Sequence, residues 1–148
     1  MKNTNQITTD FIENRDIIKK AIKLESSYIY PVAANVFCAA GVKADADRLS
    51  TCKAIIKKDA GFASYLKGDV LPVLAAKLSV SADPEAMFEK VMNMYGILKN
   101  HFSRSEYLAL LAALLAEKTS TEEADRIAAR GRAIYDKMKK RASIPHIK

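Results

Sequence analysis

The residues of this chain that could do chemistry are carboxylates, phenols and lysines. Cys38 and Cys52 form no CxxC pair, and His101 and His146 stand far from both in sequence. A zinc centre needs about four ligands at short spacings, so no metal site is expected. There is no GxSxG, no phosphate-binding glycine loop and no HExxH, hence no catalytic residue and no cofactor is assigned. What remains is a pattern. Glu25, Tyr28 and Tyr30 precede one Ala-rich segment, and Glu106 and Tyr107 open another. Carboxylates beside phenols can exchange protons, and the free N–H groups at helix starts attract anions.

The elements that must position these groups read as helices. Hydrophobic residues make up 49% of the 148, with only 5 Gly and 4 Pro. Three segments run from an aromatic residue or Leu into an Ala-rich stretch, beginning at Tyr30, Leu71 and Tyr107, and an amphipathic segment follows each. A spacing near 40 residues is the signature of stacked helical hairpins. The expected fold is all-α: about seven helices, with a leading helix over roughly 9–26 and three hairpins behind it. One domain is expected over 1–142, with a frayed tail at 143–148.

Turn chemistry agrees. Gly41 suits the residue after a helix, and Asp83-Pro84 reads as a helix start. Ser103–Glu106 and Ser120–Glu123 read as capping boxes. Two stripes at spacings of three and four mark core faces: Phe88, Val91, Met92, Tyr95, Leu98 and Phe102, then Ile127, Gly131, Ile134, Tyr135 and Met138. Leu108 to Ala116 is apolar all round and is expected to be buried on most sides. Cys38 and Cys52 read as free, packed thiols.

Antiparallel hairpins bring the starts of the Ala-rich helices to the edge where the amphipathic helices end. That edge would gather Glu25, Tyr28, Tyr30, Glu106 and Tyr107, with Lys57, Lys58, Lys99, His101, Lys137, Lys139, Lys140 and Arg141 from the ends of the amphipathic helices and, from the loop at 60–69, Lys67. A small anion is the natural ligand of such an edge. A structural account competes: lysines stabilise helix C-termini, the capping box explains Glu106, and tyrosines bury rings while wetting hydroxyls.

The net charge of +7 has one location. From residue 126 onward stand Arg126, Arg130, Arg132, Lys137, Lys139, Lys140, Arg141 and Lys148 against Asp136 alone, which accounts for the whole excess. The basic surface Lys137, Lys139, Lys140 and Arg141 is spread around a helix, so a solvated face, not nucleic-acid binding, is expected. No stretch reaches the roughly 18 apolar residues of a membrane span. The polar first ten residues carry no secretory signal, so a cytoplasmic setting without a membrane partner is expected.

The order Glu25-Ser26-Ser27-Tyr28-Ile29-Tyr30-Pro31, then Ser105-Glu106-Tyr107-Leu108-Ala109, then Ile134-Tyr135-Asp136-Lys137-Met138 resembles DUF4003, a bacterial family of unknown function, over about residues 11–141. The resemblance implies a bacterial cytoplasmic protein, a short member or a fragment, and supplies no activity. The leading functional expectation is a binding or scaffolding module for a protein partner, a second copy of the chain or an anion. The alternatives are an enzyme on a small anionic metabolite, favoured if Glu25 and Glu106 share a cleft, and a weak nucleic-acid binder through the last helix. In a gel-shift titration, duplex binding should be weak and vanish near physiological salt, because the charges cannot all meet one phosphate track. Sub-micromolar, salt-steep binding removed by replacing Lys137, Lys139, Lys140 and Arg141 with Ser would reverse that expectation.

Overall fold

The computed structural model describes residues 3–23, 27–58 and 64–142. They form seven α-helices, α1 (Thr4–Ala21), α2 (Tyr30–Ala40), α3 (Ala46–Lys58), α4 (Leu71–Val80), α5 (Pro84–Leu98), α6 (Glu106–Lys118) and α7 (Thr121–Ala142). A turn of 3-10 helix at Ser64–Leu66 precedes α4, and no strand occurs among the described residues. None of these helices is long and apolar enough to cross a membrane.

Local chemistry sets the boundaries. Tyr30-Pro31 and Leu71-Pro72 start α2 and α4 with proline in the first turn, where its missing N–H costs nothing. Gly41 ends α2 in the left-handed region at φ 68°, a conformation that side chains with a Cβ resist. Asp83 caps α5 by accepting from Ala86 N. The helix expected at 9–26 starts earlier, because Asn3 accepts from Gln6 N. The capping box expected at Ser103–Glu106 does not form: Ser105 is the cap and accepts from Leu108 N at 3.1 Å. Glu106 thereby becomes the first helical residue, free to point elsewhere.

The helices pack in two rows. α1, α3, α5 and α7 follow one another in one row, and α2, α4 and α6 in the other. Across the rows the closest-packed pairs are α1 with α2, α3 with α4, and α5 with α6. α4 lies in the middle, with eight of its ten residues buried. Buried Asn14 ties α1 to the turn after α2, accepting from Ala44 N at 2.8 Å. Arg48 closes the end of α4 by donating to the carbonyls of Ser79 and Ser81. Cys52 is buried, Cys38 half-buried, and both thiols are free.

Two burial expectations are corrected. α6 buries Leu108, Ala109, Ala112, Ala113 and Ala116, but Leu111 is 38% exposed and Leu114 46%. It packs on α4 and α5, while Leu114 lines an open groove toward α2 and Leu111 one toward α7. The stripe expected to be core on α7 is also open: Ile134 is 51% exposed and Met138 65%, with Ile127 and Tyr135 exposed beside them. Ala124 and Ala128 are buried instead. Small residues allow the close α5–α7 approach.

Leu111→Asp should therefore fold, shifting stability by no more than about 1 kcal/mol, as surface substitutions do. Leu74→Asp should not, because an unpaired carboxylate at a 1% exposed position of α4 removes several of the roughly 5–15 kcal/mol that hold a domain together. Thermal denaturation of the two variants separates these outcomes.

Candidate functional site

Two places bring together groups that the sequence keeps apart. The first lies at the entries of α4 and α6. The Tyr28 hydroxyl donates to Asp69 Oδ2 at 2.8 Å. Glu106 reaches across to the same corner, and its carboxylate lies so close over Gly68 that a Cβ there would overlap Oε1. The phenol of Tyr28 is held above its ordinary pKa. The hydrogen bond to Asp69 is the largest cause, then desolvation, then the charges of Asp69, Glu106 and Tyr107. The arrangement thus keeps a proton on a phenol beside two carboxylates. It offers a hydrogen-bonding corner whose named charged partners repel an anion.

Of the residues singled out from sequence, Tyr28, Glu106 and Tyr107 are brought together here. Tyr107 is 84% exposed and borders the opening between α6 and α7. Tyr30 is apart from them in role: it is buried, and its hydroxyl donates to Ile22 O at 2.8 Å, which fixes the end of α1 against α2. Lys67 is exposed, two residues before Asp69. Glu25 lies outside the described residues, as do Gly61 and His146. Lys57 is exposed at the end of α3, while Lys58 lines a cleft between α3 and α5 with Glu85 and Glu89. Lys137, Lys139, Lys140 and Arg141 are exposed on the last turns of α7. Sequence reasoning missed Asp69 and Gly68. The Gly-Asp pair just ahead of Leu71-Pro72 was the only signal available for them.

The second place is the opening between α6 and α7. Only Thr119 and Ser120 join these helices, yet they splay apart. A cleft of about 530 Å³ opens between them, with Phe102, Leu108 and Leu111 along one side and Tyr135 and Arg132 along the other. α7 is fixed beside the end of α5 by His101, whose Nε2 lies 2.8 Å from Asp125 Oδ1, and by Arg132, which donates to His101 O. Phe102 packs under Gly131. Past that point, from Arg132 to Arg141, every residue of α7 is exposed except half-buried Asp136. At 1.5 Å per residue this exposed run is about 15 Å long. Among the described residues no group of three or more His, Cys, Asp or Glu could hold a metal ion.

Seven helices in two rows, with an open cleft at one end, define an all-α helical-hairpin protein. The family model for the proteins of unknown function DUF4003 matches residues 14–143, and the chain belongs to this family. No curated protein and no solved structure gives a significant match.

The phenol corner makes a checkable statement about pH. A folded-state pKa above the unfolded one contributes stability that is fully present below about pH 10 and is lost as pH rises through the folded value. Phenolate absorbance, taken as the difference between the wild type and Tyr28→Phe, should show Tyr28 ionising later than an ordinary tyrosine. Asp69→Asn should bring it back toward the ordinary value. Gly68→Ala should displace the Glu106 carboxylate and give a smaller shift in the same direction. An unchanged titration in Asp69→Asn would contradict the hydrogen bond.

Proposed function

We propose that this chain is a binding module, a helical-hairpin repeat array that presents the open face of α6 and α7 to a protein partner in the bacterial cytoplasm. The observation that carries this reading is the apolar stripe on α7. Ile127, Ile134, Tyr135 and Met138 recur at helical spacing, yet each is 44–65% exposed among the described residues. Of these only Tyr135 lines the cleft, where it faces Leu111 and Tyr107 of α6, which are exposed as well. Scattered surface apolar residues need no explanation, but a row that recurs along one helix marks an interaction surface. In an array of stacked hairpins each unit buries its face on the next, and the last requires a polar outer face or a partner.

The enzymatic alternative has less support. The charged groups that act on Tyr28 in the phenol corner are the carboxylates Asp69 and Glu106, which disfavour an anionic metabolite there. The basic residues of α7 lie on several faces of the helix, which supports no continuous phosphate track.

The test is a displayed-peptide selection against the immobilised protein. Enriched peptides should lose binding to the double variant Ile134→Ser/Met138→Ser. That variant should keep its melting behaviour, because exposed side chains without partners change stability by about 0.5 kcal/mol or less. A selection that enriches nothing, or binders indifferent to the variant, would count against the reading.

A further inference from the structure

We infer that the trough between α2 and α6, floored by α4, binds a single hydrocarbon chain with an uncharged hydroxyl head, the head held between Lys77 and Glu117. The trough lies apart from the apolar row of α7, and the inference stands independently of the binding-module reading.

Packing sets the shape. α2 lies close on α4, α6 packs on it less closely, and no close packing joins α2 to α6. A trough of about 540 Å³ is left over the outer side of α4. Val73 and Lys77 lie on its floor, with Val32 and Val36 on one wall and Leu110 and Leu114 on the other. At about 1.5 Å per residue it runs roughly 10 Å from Leu110 to Glu117. A cavity of this size, apolar with a few placed polar groups, is the ordinary form of a small-molecule site.

Its width selects the occupant. Val73 is 4% exposed, while Val32 at 50% and Leu114 at 46% stand open on the rims. A helix, about 10–12 Å across with its side chains, would rest on the rims and leave Val73 uncovered. A single hydrocarbon chain is thin enough to reach the floor and bury its methylenes there.

Charge selects the head group. α2 carries no charged residue from Tyr30 to Ala40. Lys77 and Glu117 are the only ionised groups that line the trough, and Lys77 Nζ donates to Glu117 Oε1 at 2.6 Å. The pair carries no net charge. Among the described residues Lys77 makes no other hydrogen bond, so its ammonium keeps N–H groups to donate, and the Glu117 carboxylate keeps lone pairs to accept. A hydroxyl accepts from the first and donates to the second in one place. A carboxylate head would gain Lys77 but face the charge of Glu117, and an ammonium head would meet the reverse.

The experiment titrates the protein with hexanol, octanol and decanol and follows assigned methyl resonances by heteronuclear NMR. The methyls of Val32, Leu110 and Leu114 should shift, and those of Ile134 and Met138 on α7 should not. Each added methylene that is buried should tighten binding about fourfold. Octanoate and octylammonium should bind more weakly than octanol. Leu114→Asp, at an exposed rim position, should keep the melting behaviour and weaken octanol about tenfold, because a carboxylate replaces part of the apolar wall. Glu117→Gln should reverse the order of head groups, with octanoate now tighter than octanol, since Lys77 loses its counter-charge. A merely misfolded variant would not give that reversal. The inference is overturned by an absence of methyl shifts, by equal shifts on α7, or by octanoate matching octanol on the wild type. It is overturned equally by a Glu117→Gln protein that still prefers octanol. Self-association through Val32 and Leu114, or selected peptides that require Leu114, would make the trough a protein-binding surface and also sink it.

Discussion

The arrangement depends on α4. Its ten residues, Leu71 to Val80, carry no polar face, and only Lys77 and Val80 reach even partial exposure. A helix of this kind cannot rest on one neighbour, because whichever side stayed open would expose apolar surface. α2, α3, α5 and α6 therefore close around it. The single charge on α4 is directed outward, where Lys77 Nζ meets Glu117 of α6 at 2.6 Å and ties the two helices along the surface. Arg48 then satisfies carbonyls that the end of α4 would otherwise leave without partners. The other row follows from the same requirement, since α3 and α5 must each cover α4 and so lie beside one another.

Neighbours of α4 are fixed on several sides, and helices further from it are fixed on fewer. α6 packs on α4 and α5 and is open toward α2 and α7, which is why Leu111 and Leu114 are exposed although their local sequence is as apolar as that of α4. Among the described helices α7 packs chiefly on α5, with Ala124 and Ala128 buried and polar contacts to His101 just after it. Exposure of large apolar residues rises in the same order, from none on α4 to Leu111 and Leu114 on α6 and Ile127, Ile134, Tyr135 and Met138 on α7. The surface proposed for binding is thus the place where the organising influence of the central helix ends.

The phenol corner has a different origin. Tyr28, Gly68, Asp69 and Glu106 come from three separate connections, each leading into a helix of the α2, α4, α6 row. Because these helices start at one edge of the molecule, their first residues meet. Glu106 takes part only because Ser105, and not Ser103, caps α6, which releases its carboxylate from the local backbone. Gly68 then gives that carboxylate room.

The sequence by itself determined what depends on near neighbours in the chain. Helical periodicity, the Tyr-Pro and Leu-Pro entries, Gly41 and Asp83 act within one or two turns, so the all-α class, seven helices in order and most boundaries were legible. The stripe from Phe88 to Leu98 was legible as core for the same reason. Tertiary structure alone decided which apolar faces receive a cover. The stripes on α5 and α7 have the same period, and nothing local distinguishes Tyr95, 3% exposed, from Tyr135, 52% exposed. The difference is whether another helix arrives. The same holds for the tyrosines at the Ala-rich helix starts: Tyr30 packs inward onto Ile22 O, whereas Tyr28 turns outward to Asp69, 41 residues away. A side chain's role is set by partners remote in sequence, and periodicity describes only the helix that presents it.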